Sequence, residues 1–162
     1  MKTEVNIRQL RYDAEEVFRI GGFYCSEAIM SAVRKHFDPT MPEKLIASAS
    51  GFPIGVGRSR CMCGAISGAI LAIGYFFGRS EGKANDPTSE KCLELSHELQ
   101  QEFRNNHDGT LCCYKHIEGM DILSGEHKKQ CVAFTGECAQ KAAEIIAREK
   151  GVKLVYDWLE AR

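Results

Sequence analysis

The longest uncharged stretch of the chain, CMCGAISGAILAIGYFFG at residues 61–78, constrains the fold more than any other feature. Its length reaches the threshold of about 18 residues for a membrane-spanning helix. Arginines stand on both sides of it, but Ser67, interior glycines and two thiols interrupt the apolar character. The remaining segments have the amphipathic pattern of water-exposed helices. We therefore predict a buried central helix and no membrane span.

Small residues line one side of this predicted helix. Gly64, Gly68 and Ala72 follow one another at helical spacing, and Ala65 and Ala69 lie beside them. Each interior glycine costs about 1 kcal/mol of helix propensity relative to alanine, so its repetition indicates a gain elsewhere. We expect another backbone to approach this face closely, and we expect the glycines to leave space beside Cys63.

Apolar residues recur at helical spacing along nearly the whole chain, and no segment shows a sustained two-residue alternation. The predicted fold class is therefore all-α, a compact multi-helix single domain over residues 1–162 built around the Gly/Ala-rich helix. A first helix is expected from about residue 4 to 20, ending at Gly21 and Gly22, and a second from near Tyr24. Thr40 with Glu43 predicts a capping box for a short third helix.

Further helices are indicated downstream by their end signals. Asp86 and Pro87 predict the start of a long helix, and Gly119 ends a short one around the paired cysteines. Gly151 ends another helix in KQCVAFTGECAQKAAEIIAREKG. The tail from Val152 fits either a last helix or an edge strand.

Composition narrows the function. The formal net charge is −1, which argues against a nucleic-acid partner, because such proteins carry a basic excess or a basic face. The N-terminal segment mixes charges and lacks the apolar core of a signal peptide, so a cytoplasmic location is expected. In that compartment eight cysteines indicate metal, cluster or redox chemistry rather than a disulfide framework.

Cys63 has the most reactive setting in the sequence. We expect it in the first turn of the central helix, where free N–H groups and the helix dipole favour a thiolate. Arg58 and Arg60 add positive charge nearby. Cys61, two residues earlier, is interpreted as a second ligand, a resolving thiol or a bystander.

Four segments together resemble a known family. GGFYCSEAIM, GFPIGVGRSRCMCGAISGAILAIGYFFGR, DGTLCCYKHIEGMD and ECAQKAAEII match, in order and spacing, the redox-active proteins named for their C-GCAxxG-C-C cysteine signature. The resemblance implies that the signature thiols are Cys25, Cys63, Cys113 and Cys138. Cys112 is the alternative to Cys113, and Cys131 is the alternative to Cys138. Cys138 is preferred over Cys131 because it opens an apolar helical segment. A similar domain occurs in split-Soret cytochromes, helical homodimers that carry an iron–sulfur cluster.

Three functions are compatible with these residues. The first is an iron–sulfur or similar thiolate-ligated metal centre bound by Cys25, Cys63, Cys113 and Cys138, with a redox or electron-transfer role. The second is a thiol–disulfide oxidoreductase with Cys63 as nucleophile. The third is zinc or soft-metal binding without turnover, in which His116 joins Cys112 or Cys113.

Other cysteine and histidine residues are predicted to have no functional role. Cys92 shares an apolar stripe with leucines and is expected in the core, and His127 is expected on the surface along with the other histidines outside the cysteine pair. No C-x-x-C-H haem attachment motif is present. The small-residue face suggests a homodimer. The redox partner is not identified, and an electron carrier and an enzyme stay equally open.

Overall fold

The computed structural model describes residues 1–157, which are mostly helical as predicted. In chain order the elements are β1 (Glu4–Asn6), α1 (Ile7–Arg19), α2 (Cys25–His36), α3 (Lys44–Ser48), a 3-10 turn (Ala49–Gly51), α4 (Gly64–Phe77), α5 (Pro87–Asn106), α6 (Cys113–Ile117), α7 (Glu126–Lys150) and β2 (Lys153–Val155). The all-α prediction is thus confirmed, apart from two short strands that the sequence pattern did not indicate.

The glycine-rich helix α4 lies at the centre, as predicted. It packs against α2, α5 and α7, while α1 packs against α2 and α7. Its first half is buried all round, and Ala69, Ala72 and Ile73 are fully enclosed. With 14 residues it is shorter than the roughly 20 that a bilayer requires. None of the helices in residues 1–157 is long and apolar enough to cross a membrane.

The strands β1 and β2 pair in parallel and tie the start of α1 to the end of α7. Val5 faces the core, and Asn6 caps α1 by accepting a hydrogen bond of 2.9 Å from the N–H of Gln9. The helix therefore begins three residues later than predicted, because three residues are too few for a strand pattern to be recognised. The tail resolves as a strand at Lys153–Val155, and its last part, from residue 158, lies outside the described residues.

Most helix ends follow the predicted signals. Gly21 and Gly151 have left-handed backbones just after α1 and α7, and Asp86 caps α5 by accepting from the N–H of Thr88. The predicted capping box at Thr40 is wrong. The N–H and the hydroxyl of Thr40 instead donate to one carboxylate oxygen of Asp38, and α3 begins after Glu43.

Candidate metal centre

The close approach of α4 to α2 places two cysteines side by side. A Cβ atom on Gly64 would lie 2.5 Å from the Sγ of Cys25 and 3.0 Å from the carbonyl oxygen of Phe52. One turn later, a Cβ on Gly68 would lie 2.6 Å from the backbone of Ser26. The distances of 2.5 and 2.6 Å are shorter than real Cβ contacts, so a side chain at position 68 would require the backbone of Ser26 to move and one at position 64 would displace the sulfur of Cys25. The two glycines therefore bring the start of α4, with Cys63, against the start of α2, with Cys25.

A short antiparallel bridge adds the third cysteine segment. Met62 pairs with Cys112, the N–H of Cys63 donates to the carbonyl of Leu111 at 2.8 Å, and the N–H of Cys113 donates to the carbonyl of Cys61 at 2.5 Å. These bonds fix the entry to α4 beside the entry to α6. They hold Cys63 and Cys113 in adjacent backbone segments, although the two residues are 50 positions apart in the sequence.

The glycine loop before α4 has an uncommon backbone. Ile54, Val56, Arg58 and Arg60 have positive φ values between 56° and 68°, and Gly55 and Gly57 have positive φ values of 69° and 61°. Left-handed backbone costs a non-glycine residue roughly 1–2 kcal/mol, most of all a β-branched one. Hydrogen bonds from the N–H of Arg60 to Ile54 and from Cys61 to Gly55 hold the loop closed.

Four thiols from four helices line one cavity of about 690 Å³: Cys25 from α2, Cys63 at the cap of α4, Cys113 from α6 and Cys131 from α7. Apolar and glycine residues form much of the remaining wall: Phe18, Gly21, Gly22, Phe23, Tyr24, Pro53, Ile54, Gly64, Ala65, Ile117 and Ile122. The other lining residues are charged or titratable: Glu27, Arg60, His127 and Lys128.

Burial, more than mutual repulsion, holds the four thiols in the protonated form. Burial, and after it repulsion from the neighbouring sulfurs, raises the pKa of Cys113 to about 11 and that of Cys131 to about 12. The pKa of Cys25 is also raised, by burial first and then by Cys63. A cation bound among them would reverse this effect, because a metal stabilises the thiolate.

Cys63 lies immediately before α4, at the N-cap position, one residue ahead of the predicted first turn. Burial raises its pKa, while the backbone N–H groups of Ala65 and Ile66 act in the opposite direction and only partly offset it. The helix start therefore favours the thiolate as predicted, but desolvation is the larger effect. A free Cys63 is a thiol at neutral pH.

Of the predicted signature thiols, Cys25, Cys63 and Cys113 meet at this cavity and Cys138 lies outside its lining. Cys138 is only 2% exposed and belongs to the hydrophobic core. The helix α7 begins at Glu126, so Cys138 stands in its middle and does not open a helix. Cys131, its competitor, lies two turns earlier on α7 and does line the cavity.

The other cysteines point elsewhere. Cys61 is exposed, and Cys112 donates to the carbonyl of Arg60 at 3.5 Å. Cys92 is half-buried on α5 against the core, in agreement with its predicted structural role. Within residues 1–157, no three histidine, cysteine or acidic side chains already stand in the arrangement of a bound metal.

His116 does not reach the cysteine cavity. It lies against Phe103, Phe134 and His107, with ring centroids 4.9 to 6.2 Å apart, and lines a separate cavity. Its Nε2 atom is buried and has no hydrogen-bond partner among the described residues. The geometry therefore gives no support to a pairing of His116 with Cys113.

The sequence interpretation missed His127, which is half-buried and lines the cavity. Its Nδ1 atom is buried and has no hydrogen-bond partner in the described part of the chain. The spacing of His127 and Cys131, four residues apart, was the available signal, because such pairs share one helix face. The start of α7 had to be known before that signal could be used.

Comparison with known proteins gives one match. A family model described as "Putative redox-active protein (C_GCAxxG_C_C)" matches residues 23–145. That range contains all four cysteines of the cavity. No curated protein and no solved structure matches the chain.

Proposed function

Because the chain belongs to the C_GCAxxG_C_C family of redox-active proteins, we propose that its cavity holds an iron–sulfur cluster or a similar thiolate-ligated metal centre. The ligands are Cys25, Cys63, Cys113 and Cys131. The convergence of these four thiols, three from different helices and one from the N-cap of a fourth, is the observation that carries the proposal. Four cysteine thiolates are the usual ligand set of iron–sulfur clusters.

The residues present fit such a centre on two further grounds. The space beside Cys25 exists only because Gly64 lacks a Cβ atom, so the backbone is shaped around that sulfur. The thiols also raise one another's pKa, and a bound cation removes the cost of their mutual repulsion.

When bound, the centre supplies one-electron exchange. The chain's own residues set its surroundings. The N–H groups of Ala65 and Ile66 stabilise the sulfur of Cys63 as an anion, and the charge of Arg60 lowers the pKa of Cys113 against the effect of burial. The apolar wall limits the access of water to the thiolates, which favours retention of the centre.

The fourth ligand distinguishes two versions of the proposal. Cys131 is favoured over Cys138 because Cys131 lines the cavity, whereas Cys138 is enclosed in the core. Protein purified without oxygen should contain iron and sulfide and absorb visible light. Cys131→Ser should lose most of the metal, as should Ser variants of the other three ligands, while Cys138→Ala should retain it. Cys92→Ser is the matched control and should behave as the wild type.

The competing outcomes are distinct. Stoichiometric zinc without iron would assign the same thiols to zinc. Free thiols with no iron, sulfide, zinc or visible absorption would refute the metal centre. Loss of metal from Cys138→Ala but not from Cys131→Ser would show that the fourth ligand is Cys138 and not Cys131.

A thiol–disulfide oxidoreductase with Cys63 as nucleophile receives less support. Reactive cysteines need a lowered pKa and partial exposure, whereas Cys63 is buried and its pKa is raised. The homodimer, the cytoplasmic location and the identity of the redox partner stay predictions from the sequence.

A further inference from the structure

The cavity is larger than the four sulfurs need. Its volume of about 690 Å³ lies within the range of about 300–1,000 Å³ typical of small-molecule sites. Phe18, Phe23 and Ile117 contribute apolar side chains to its wall. Such a wall with few polar groups is the usual composition of a site for an organic ligand.

The polar groups of this wall are mainly basic. Arg60 and Lys128 are exposed at the cavity, and neither forms an ion pair or side-chain hydrogen bond with any residue in 1–157. His127 adds a ring nitrogen without a partner in that same part of the chain. The one carboxylate, Glu27, already accepts from the N–H of Tyr24 at 2.9 Å and from the hydroxyl of Ser50 at 2.5 Å.

We propose that this part of the cavity binds a small organic anion, an apolar body with one acidic head group, beside the thiol cluster. The apolar wall takes the body, and Arg60, Lys128 and His127 take the head group. The proposal deepens the proposed function, because it names the substrate class of a redox centre at Cys25, Cys63, Cys113 and Cys131. Binding of the anion itself does not require that centre.

The test compares two probes of nearly equal shape, 2-naphthoate and its neutral counterpart 2-naphthamide. Equilibrium dialysis measures the binding of both to the protein as purified and after metal removal. We expect naphthoate to bind more tightly than naphthamide. Lys128→Gln and Arg60→Gln together should weaken naphthoate binding by roughly threefold to tenfold, which is the scale of partly exposed charge pairs. The affinity for naphthamide should not change. Lys129→Gln, an exposed neighbour outside the lining, is the control.

A second pair of variants locates the site without touching the bases. Ile122 lines the cavity, whereas the adjacent Leu123 is 98% exposed and does not. Ile122→Asp should weaken naphthoate more than naphthamide, and Leu123→Asp should affect neither. This pair keeps the proposal testable if Arg60→Gln, which changes a residue with a left-handed backbone, fails to fold.

Equal affinity of the protein for the two probes, or equal effects of the Ile122 and Leu123 variants on binding, would overturn the anion site. The basic residues at the cavity would then serve only to stabilise the thiolates. Naphthoate binding by protein that never contains metal would refute the metal centre and leave the anion site standing. Metal loading without probe binding would do the reverse. The two proposals therefore fail separately.

Discussion

Alanine at three glycines of α4 tests how the helix builds the site. Gly64, Gly68 and Gly74 lie in the same helix but in different surroundings. A Cβ on Gly74 meets nothing within 4 Å, one on Gly68 meets the backbone of Ser26 at 2.6 Å, and one on Gly64 meets the Sγ of Cys25 at 2.5 Å. The three variants add the same methyl group, so only its contacts differ.

The expected free energies follow from these contacts. Gly74→Ala should stabilise the protein by about 0.5–1 kcal/mol, the gain in helix propensity. Gly68→Ala should destabilise it by about 2 kcal/mol, because overpacking costs about 1–3 kcal/mol and the backbone of Ser26 cannot move aside. Gly64→Ala should cost less, about 1 kcal/mol, because its shortest contact is with the end of a side chain, and its nearest backbone contact, the carbonyl oxygen of Phe52 at 3.0 Å, is longer than that of Gly68.

The effects of the three variants on metal content should follow a different order from their effects on stability. Gly64→Ala displaces the sulfur of Cys25, so it should lose most of its metal while staying folded, and Gly74→Ala should keep the wild-type metal content. Urea unfolding of metal-free protein measures the first effect, and iron, zinc and sulfide analysis measures the second. Wild-type metal in Gly64→Ala, or a Gly68→Ala variant as stable as Gly74→Ala, would refute the reasoning.

Three other variants test separate features. Hydrogen bonds from Thr40 and Tyr75 lower the pKa of Asp38, so their stabilisation is present above about pH 4 and is lost as the pH falls through the lowered value. Tyr75→Phe should therefore cost about 1 kcal/mol at pH 7 and less at a pH below the lowered pKa of Asp38 in urea unfolding, and a pH-independent cost would contradict this. Val56→Gly should stabilise by up to about 1 kcal/mol by relieving a left-handed valine, measured as a higher melting temperature, and a lower one would oppose the strain argument. His116→Phe should keep the metal content and change stability by less than about 1 kcal/mol, because it removes a buried atom without a partner and also a hydrogen bond with the backbone of Thr110; loss of metal would make His116 a ligand.

The sequence predicts the architecture well where its signals are local. The glycine pattern of α4 predicts a buried, closely packed helix, and Gly64 and Gly68 prove to be the contact with α2. Asp86, Gly119 and Gly151 predict helix ends, because capping depends on a few adjacent residues. Thr40 fails as a cap because Asp38, two residues earlier, takes its hydrogen bonds.

The candidate site is only partly predictable, for a physical reason. Cys25, Cys63 and Cys113 can be found from their glycine-rich settings together with the family resemblance, but the choice between Cys131 and Cys138 depends on which turn of α7 faces the cavity. Both lie on one side of that helix, two turns apart, so periodicity does not separate them. The role of His127 depends likewise on where α7 begins, which Gly125 and its left-handed backbone determine.

The antiparallel bridge between Met62 and Cys112 bears on the order in which the molecule folds. It closes a loop of about 50 residues, for which the length-dependent entropy cost is about 3.5 kcal/mol. The packing of α4 on α2 spans a shorter stretch of chain and can form before this loop closes. The half of the site that holds Cys25 and Cys63 then precedes the arrival of Cys113 and Cys131. In the proposed metal centre, an ion captured early by the first two thiols would recruit the other two and hold the folded arrangement, and metal supply during synthesis would then affect the yield of folded protein.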